Sequence, residues 1–393
     1  MQSVLVLGRQ PALGLAEAES LFGADALQPL GSHAATVDMP PADVPFARLG
    51  GSTRIAKLLT YLPYTDWNNM ESYLAQELPK HTCCLPEGKI KIGLSVYGLA
   101  VNVRRLNASG LSLKKVVKNP PEGEGRSVRI VPNKDLELNT AQVIHNQLTG
   151  PTGIELLLIR DGKRTALAQT VQVQDIEAYA ARDQARPARD ARVGMLPPKL
   201  AQIIINLAQG ETQKDAVLDP FCGTGVVLQE ALLNGCDAYG TDIEERMIKY
   251  SRKNLDWLAT QHSLDNKTYL LETGDATSYN WQDFDTIACE TYLGRPFSSE
   301  PKADVLQEVM SDVDLIHRKF LNNVAKQTEP GFRMCIAVPA WKTNSGFKHL
   351  KTLDNLADLG YTRLRFVHAD TRDLIYHREN QIVGRELVTL IRK

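Results

Sequence analysis

The C-terminal half of the chain alternates short apolar runs with longer amphipathic stretches. From Ala216 onward, runs of the length typical of buried strands are followed by segments whose apolar positions recur at helical spacing. This alternation predicts successive β-α-β units, which form a parallel sheet with helices on both faces. The last stretch, RLRFVHADTRDLIYHRENQIVGRELVTLIRK, predicts two long strands joined by a turn, which would make the sheet mixed.

The N-terminal half shows a different order of elements. A strand, a helix, two strands, a helix and a strand predict a small α+β domain at the start of the chain. A second unit begins at KIKIGLSVYG and ends in a hairpin whose turn is Asp161-Gly162. The polar segment YAARDQARPARDAR, which contains a proline, then separates the two halves as an interdomain linker would.

Length and composition indicate a globular chain of several domains. The chain has 393 residues, of which 43% are hydrophobic and 23% charged. Its longest apolar runs fall well below the ~20 residues of a membrane span, and the first residues lack the basic flank of a signal peptide. The six cysteines form no CxxC pair and the eight histidines show no ligand spacing. We therefore expect no metal, no membrane association, reduced thiols and a cytoplasmic location.

One region is basic although the chain as a whole has a formal net charge of −1. Between Leu85 and Asp135 there are ten lysines and arginines but four acidic residues. A solvated surface and a surface for the phosphate backbone of a nucleic acid both fit this excess. The second interpretation would place Lys114, Lys115 and Arg126 against phosphates.

Carboxylates follow three consecutive predicted strands in the C-terminal half. Asp219 opens the turn DPFCGTG, and Asp242 and Asp275 end the next two strands. Ligands of such sheets bind beyond the carboxyl ends of the strands. Gly223 and Gly225 would let the backbone approach a ligand closely. Asp242 is placed for a ribose diol and Asp275 for an adenine amino group, so we expect a nucleoside cofactor.

Two nucleoside cofactors compete for this site. A dinucleotide calls for G-x-G-x-x-G, and CGTGVVL lacks the third glycine. Asp219 would repel a pyrophosphate but attract a cationic, methionine-like group. These features favour S-adenosylmethionine, and a dinucleotide remains the alternative.

The motifs DPFCGTG, GTDIEERM, GDAT and GMLPPKLAQIIINLA resemble those of the S-adenosylmethionine-dependent tRNA guanosine-10 N2-methyltransferase family. The resemblance covers essentially the whole chain. It implies a ferredoxin-like α+β domain (1–78), a THUMP RNA-binding domain (79–175), a linker (176–192) and a Rossmann-fold α/β methyltransferase domain with a mixed seven-stranded sheet (193–393). The cofactor contacts that it implies are Pro197, Asp219, Phe221, Gly223, Gly225, Asp242, Ile243, Asp275 and Ala276.

The resemblance also implies partners and an activity. tRNA would be the substrate, and the exocyclic N2 of a guanosine at position 10 would receive the methyl group. The resemblance leaves open whether a small activator subunit is needed, as it is for the eukaryotic relatives, or whether the chain acts as a monomer. It also leaves open whether one or two methyl groups are added.

The stretch TIACETYLGRPF departs from the family pattern. Family members that act on exocyclic amines carry D-P-P-Y at this place, whereas this chain has Glu290, Thr291, Tyr292 and Leu293. By resemblance, Glu290 would accept hydrogen bonds from the target amine and Tyr292 would stack on the base. Arg295 would meet a phosphate or a base edge. Three hypotheses stay open: N2 methylation by a rebuilt pocket, methylation of another RNA position or atom, and RNA binding without catalysis.

Overall fold

The computed structural model describes residues 2–121, 123–190, 195–264, 266–297, 301–379 and 381–393. Contacts within the chain divide it into two compact units. Unit 1 comprises Met1–Pro11, Asp25–Ala47 and Ser52–Ile176, and unit 2 comprises Ala12–Ala24, Arg48–Gly51 and Glu177–Lys393. In the described part of the chain, every helix is too short or too polar to cross a membrane.

The elements as far as Val173 belong to unit 1, except for the first helix. In chain order they are β1 (Ser3–Leu7), α1 (Pro11–Phe22), β2 (Leu27–Leu30), β3 (Ala34–Val37), β4 (Ser52–Leu62), α2 (Trp67–Cys83), β5 (Ile90–Tyr97), α3 (Val103–Lys118), β6 (Val128–Ile130), α4 (Thr140–His145), β7 (Gly153–Asp161) and β8 (Arg164–Val173). The eight strands form one sheet in the order β2-β3-β1-β4-β8-β7-β5-β6. The predicted hairpin is confirmed, because β7 and β8 pair antiparallel. Its turn is Gly162-Lys163 and not the predicted Asp161-Gly162, since Asp161 pairs with Arg164.

Local signals explain the helices of unit 1. Asp66 caps α2 by accepting a hydrogen bond from the backbone N–H of Asn69 at 3.1 Å. Met70, Leu74 and Leu78 then recur at helical spacing and are buried in one core with β5 and β7. Asn102 caps α3 in the same way, through the N–H of Arg105.

Two of the predicted domain boundaries can be compared with the positions of the helices and strands. The boundary between residues 78 and 79 falls inside α2, and strands from both predicted N-terminal domains share one sheet. The end of the predicted linker and the start of the predicted methyltransferase domain fall on residues 191–194, which lie outside the described residues. The ferredoxin-like and THUMP assignments therefore stay predictions.

Unit 2 contains the β-α-β units. Its elements after α1 are α5 (Ile176–Gln184), α6 (Pro198–Gln209), β9 (Ala216–Asp219), α7 (Val226–Leu233), β10 (Asp237–Asp242), α8 (Glu245–Gln261), β11 (Tyr269–Thr273), β12 (Thr286–Glu290), α9 (Ala303–Ala325), β13 (Arg333–Thr343), β14 (Gly346–Lys348), β15 (Tyr361–Arg363), β16 (Ile375–Tyr376) and β17 (Val383–Arg392).

The sheet of unit 2 has the predicted mixed α/β character. Seven strands follow the order β11-β10-β9-β12-β13-β17-β15, and the short β14 and β16 pair with β13 and β17. The first five are parallel, whereas β17 and β15 are antiparallel to their neighbours. The strand order reverses between β9 and β12, so the carboxyl ends of these strands flank the crevice where ligands bind in such sheets.

Helices cover both faces of this sheet. Alternate strand residues point to opposite faces, so Val217 packs in one core with α6, α7 and α8, while Leu218 packs in the other with α9. The parallel strands therefore lie between two apolar layers.

A buried carboxylate joins separate parts of the sequence within unit 2. Glu17 on α1 accepts hydrogen bonds from the N–H groups of Gly50 and Gly51 at 2.9 and 2.8 Å. It also accepts from Nδ2 of Asn206 on α6 at 2.7 Å. Burial raises the pKa of Glu17 to about 7, against the effect of these donors. These bonds explain why α1 and residues 48–51 belong to unit 2.

The prediction of two long terminal strands is wrong for the first of them. β15 is only Tyr361–Arg363, and a 3-10 turn at Thr371–Asp373 and the short β16 precede β17. The N–H groups of Val367 and His368 donate to Glu19 of α1 at 2.7 and 2.8 Å. Glu19 therefore accepts hydrogen bonds from backbone N–H groups that would pair with a neighbouring strand if β15 were longer.

Candidate active site

The turn after β9 strongly favours glycine at one position. Gly225 has a φ of +82° at the start of α7, a backbone conformation that other residues rarely adopt. A Cβ at this position would lie 3.0 Å from Oγ of Ser251 on α8. The same hydroxyl donates to the carbonyl of Gly223 at 2.8 Å. The turn is therefore held against α8 by close backbone contact and by this hydrogen bond.

Asp242 connects this turn to the end of the neighbouring strand. Its Oδ2 accepts a hydrogen bond from the N–H of Gly223 at 3.0 Å, and its Oδ1 accepts from the N–H of Glu244 at 2.9 Å. A carboxylate offers about four acceptor positions, so two remain for a diol. Burial raises the pKa of Asp242, although both N–H donors oppose this rise.

Asp219 is the most deeply buried acid of the site. One of its oxygens accepts a hydrogen bond from the N–H of Phe221 at 3.0 Å, and the side chain is buried. Burial raises its pKa well above the usual value, and the charges of Asp242 and Glu290 raise it further. A cationic ligand group would relieve this concentration of negative charge. The carboxylates of Asp219 and Asp242 therefore fit a ligand that carries both a positive charge and a diol.

The remaining predicted cofactor contacts surround this edge of the sheet. The N–H of Gly274 donates to the carbonyl of Asp242 at 2.9 Å, which places Asp275 beside it. Asp275 is exposed and accepts from the N–H and hydroxyl of Thr277, both at 2.8 Å. Ala276 is buried and Ile243 is exposed.

The other two predicted contacts are Phe221, in the turn after β9, and Pro197, at the start of α6. Phe221 packs edge to face on Phe320 of α9, with ring centroids 5.0 Å apart. Pro197 is the N-cap of α6, and Pro198 occupies the first helical position, where a missing N–H costs no hydrogen bond. Hydrogen bonds thus join Asp242 to Gly223 and Asp219 to Phe221. The contacts described here include none between Pro197 and these residues.

Glu290 forms an ion pair that the sequence did not indicate. It ends β12, and its Oε1 accepts a hydrogen bond from Nε of Arg385 on β17. The Glu290 side chain is 16% exposed, and Arg385 is buried. Burial raises the pKa of Glu290, and the charge and hydrogen bond of Arg385 oppose that rise. An arginine in the apolar run VGRELVTLI was the one available signal, and its partner could not be read from it.

Thr291 occupies the place of the first proline in the family pattern, and it is held by hydrogen bonds. Its N–H and hydroxyl lie 3.0 and 3.1 Å from the carbonyl of Ala337 on β13. The hydroxyl also lies 2.6 Å from Nε2 of the buried His317 on α9. Proline has no N–H, so it could not form the backbone bond. Hydrogen bonds therefore fix the turn in place of proline rings.

The residues after this turn reach the surface. The Tyr292 side chain is 46% exposed next to Glu290 in sequence. Arg295 is exposed, and its guanidinium carbon lies 5.7 Å from the centre of the Phe297 ring. An exposed aromatic ring after a carboxylate at the ligand edge of a sheet can stack on a base.

The predicted RNA contacts of unit 1 differ in their surroundings. On α3, Lys115 is exposed and Lys114 is half-buried. Arg104 and Lys118 are also exposed, and their spacing from Lys115 places all three on one face of the helix. This face carries positive charge toward solvent.

Arg126 has a set of partners within unit 1. Its guanidinium donates to the carbonyls of Thr82, Leu85 and Pro86 at 3.2, 3.1 and 2.5 Å. These carbonyls lie at the end of α2 and just after it, where helix carbonyls lack intrahelical partners. The structure therefore gives Arg126 a local structural role beside its predicted role in RNA binding.

Comparisons with known proteins give a matching domain family and a similar fold. Residues 211–379 match a family described as a methyltransferase domain. The crystal structure of TrmN from Thermus thermophilus superposes with a TM-score of 0.55 over 100% of both chains at 16% identity. The likeness supports the predicted α/β Rossmann-type fold, which is confirmed.

Curated relatives are similar over part of the chain. The tRNA (guanine(10)-N2)-dimethyltransferase of Pyrococcus abyssi is 30% identical over 148 residues, 37% of this chain and 39% of the relative. The chain thus spans well under two thirds of that relative. A probable tRNA (guanine(10)-N2)-dimethyltransferase of Methanothermococcus thermolithotrophicus is 35% identical over 120 residues, 29% of this chain and 72% of the relative. With that share of the relative matched, the chain belongs to the tRNA (guanine(10)-N2)-dimethyltransferase family.

Proposed function

We propose that this protein methylates the exocyclic N2 of guanosine 10 in tRNA, with S-adenosylmethionine as the methyl donor. The observation that carries the proposal is the placement of Asp219, Asp242 and Glu290 at the carboxyl ends of three adjacent parallel strands. The names of the curated relatives supply the nucleoside and the atom. A cytoplasmic location fits this substrate.

The residues of the turn suit the proposed donor. Asp242 would accept hydrogen bonds from the ribose diol through its remaining acceptor positions. Asp219 would face the positively charged methionine part, which offsets the charge of a buried carboxylate. Gly225 gives the turn its left-handed backbone conformation and its close approach to α8. When bound, S-adenosylmethionine supplies an electrophilic methyl group on a positively charged sulfur.

Glu290 and Tyr292 would act on the target base. The lone pair of the guanine amine is delocalised into the ring, so the amine is a poor nucleophile. Glu290 accepts a hydrogen bond from N2–H, which raises electron density on the nitrogen. The methyl group would pass from sulfur to N2, so that the C–S bond of the donor breaks and S-adenosylhomocysteine leaves, and Glu290 would take up the proton that N2 loses. Tyr292 stacks on the base and holds the amine in line for attack.

Unit 1 would bind the RNA. The exposed basic face of α3, with Arg104, Lys115 and Lys118, would contact phosphates of the tRNA. This role agrees with the THUMP-type domain that the sequence predicts.

A second candidate is methylation of another RNA position or atom. Glu290, Thr291 and Tyr292 replace the D-P-P-Y pattern, and the turn is fixed by different bonds. Because this turn is fixed by different bonds, it can position a different RNA atom to receive the methyl group.

The test is methylation of a tRNA transcript by the purified chain with S-adenosylmethionine. Nucleoside mass spectrometry measures N2-methylguanosine and N2,N2-dimethylguanosine, and primer extension locates them. The matched substrate carries inosine at position 10, which differs from guanosine only by lacking the exocyclic amine. We expect methylation of the guanosine transcript and none of the inosine transcript, and a reaction without added proteins would show that no activator subunit is required. Equal methylation of both would favour the second candidate, and none of either would overturn the proposal.

A further inference from the structure

We propose that Arg385 is a positioning residue that keeps the Glu290 carboxylate ionised and aimed at the substrate amine. The inference rests on the proposed function, because it concerns the acceptor of the same amine. It goes beyond the family pattern, which places the amine acceptor before two prolines and assigns nothing to β17.

The register of the sheet brings the two side chains to one face. Glu290 lies opposite Ala337 of β13, and Leu387 of β17 lies opposite the same alanine from the other side. Arg385 is two residues from Leu387, so it points to the same face. It is also opposite Pro339, further toward the carboxyl end of β13. The guanidinium therefore reaches across one strand to the ligand edge, where its Nε donates to Glu290.

The next residue of β17 shows that this pairing is selective. Glu386 is also buried, but alternation places it on the opposite face of the strand. Its partners are Arg363, at 2.8 Å, and Nδ1 of His349, at 2.5 Å. The chain thus carries two adjacent buried charges on β17, each compensated by its own partner. Only the Arg385 pair lies at the end of β12.

The chemistry of the acceptor depends on this arginine. A buried carboxylate that loses its cationic partner takes up a proton, because burial disfavours the charged form. A protonated Glu290 would have fewer acceptor positions and could not receive the proton that leaves the amine. Where the family pattern has a stiff pair of prolines, this chain holds its acceptor with an ion pair and with the bonds of Thr291.

The ionisable groups around Glu290 come from three elements. Arg385 approaches from β17, and Asp219 lies at the end of the adjacent β9. His317 of α9 is bonded to Thr291, and burial lowers its pKa to about 4, so it is neutral above that pH. Asp219 also has a raised pKa, but it is the same in every variant, so a change in the titration of Glu290 when Arg385 is replaced follows from the loss of Arg385.

The first experiment is the pH dependence of single-turnover methylation of tRNA. The variants are Arg385→Met and Arg385→Lys. Arg363→Met is the matched control, because Arg363 is a partner of Glu386, the buried glutamate on β17. Rates should fall at low pH as Glu290 takes up a proton. In Arg385→Met the midpoint of this fall should move up by about one pH unit or more, and Arg385→Lys should restore much of the wild-type midpoint. Arg363→Met should keep it. A slower Arg385→Met enzyme with the wild-type midpoint would overturn the inference.

The second experiment needs no activity. Carbon-13 labelling of glutamate carboxyls, with the Glu290 signal assigned by its absence in Glu290→Gln, allows the titration of Glu290 to be followed in the protein alone. A higher midpoint in Arg385→Met supports the inference, and an unchanged midpoint overturns it. If Arg385→Met does not fold, Arg385→Gln takes its place: a raised midpoint supports the inference and an unchanged midpoint overturns it. Arg385→Lys keeps the charge and should stay near the wild-type midpoint. If the wild type methylates no tRNA, the proposed function fails, while this titration still decides whether Arg385 controls Glu290.

Discussion

The hydroxyl oxygen of Thr291 lies 2.6 Å from Nε2 of His317, and both side chains are buried. Nδ1 of His317 lies 2.7 Å from the carbonyl of Val313, which can only accept, so Nδ1 carries the proton. In the neutral ring, Nε2 then accepts the hydrogen bond of the Thr291 hydroxyl, whose single proton is therefore not available to the Ala337 carbonyl 3.1 Å away. This bond joins the turn after β12 to α9, directly next to Glu290.

Removing the Thr291 hydroxyl should destabilise unit 2. Thr291→Val keeps the shape but leaves Nε2 of His317 without its donor, so we expect a loss of about 1–3 kcal/mol in the free energy of unfolding. Thr291→Ser keeps the hydroxyl and should lose clearly less. Urea unfolding of both variants measures the difference. Equal losses would show that the Thr291 methyl group, and not the hydroxyl, matters here.

His317 should make the stability depend on pH. Its pKa is about 4 in the folded protein because the ring is buried, and about 6.5 in an unfolded chain. A depressed pKa means that its contribution is fully present above about pH 6.5 and is lost as the pH falls through 4, by about 3 kcal/mol in total. The comparison is urea unfolding of the wild type and His317→Gln, a residue that does not titrate, between pH 7 and 4.

The gap in stability between these two proteins should shrink as the pH falls. A gap that stays constant over this range would contradict an uncharged, buried His317.

Asp242 should control binding of the nucleoside part of the cofactor. Asp242→Ala removes acceptors for the diol and for the N–H of Gly223, so S-adenosylhomocysteine should bind more weakly by about 1.5–3 kcal/mol. The control is Asp237→Ala at the other end of the same strand, where the carboxylate accepts from the N–H of Thr268 at 2.7 Å. Calorimetry measures both. Tight NADH binding without any response to S-adenosylhomocysteine would refute the cofactor assignment.

Glu290 should be needed for chemistry more than for cofactor binding. Glu290→Ala should leave the affinity for S-adenosylhomocysteine nearly unchanged and slow single-turnover methylation by two or more orders of magnitude, roughly 3 kcal/mol. Glu290→Gln should be less damaging, because its amide oxygen still accepts one hydrogen bond. Quenched-flow assays with labelled methyl donor give these rates. Methylation by Glu290→Ala at the wild-type rate would exclude Glu290 as the amine acceptor.

Lys115 should contribute to RNA affinity through its charge. Lys115→Gln should weaken tRNA binding and lower the slope of log K against log salt by about one unit, as expected for one lost phosphate contact. Lys163→Gln is the control, since Lys163 is exposed in the turn between β7 and β8 of the same unit. Filter binding over a range of salt concentrations measures the slopes. Identical slopes for the two variants would show that the basic face of α3 is a solvated surface and does not contact phosphates.

The sequence by itself determined where the parallel strands of unit 2 end. The predicted strand ends at Asp219 and Asp242 are the last residues of β9 and β10. β11 ends at Thr273, two residues before Asp275. Apolar runs followed by an acid and a glycine turn are local signals, because they reflect burial and backbone conformation over a few residues. The same signals indicated the cofactor chemistry.

Only the tertiary structure decided which side chains meet at those ends. Arg385 reaches Glu290 because β17 enters the sheet antiparallel beside β13, and His317 reaches Thr291 because α9 packs beneath the same turn. Glu17 likewise brings α1 to α6 within unit 2. Each partner is far away in sequence, and no local pattern marks the pair. A buried charge or hydroxyl selects its partner by what the packed core places within hydrogen-bond distance, since leaving it unpaired in a medium of low polarity is costly.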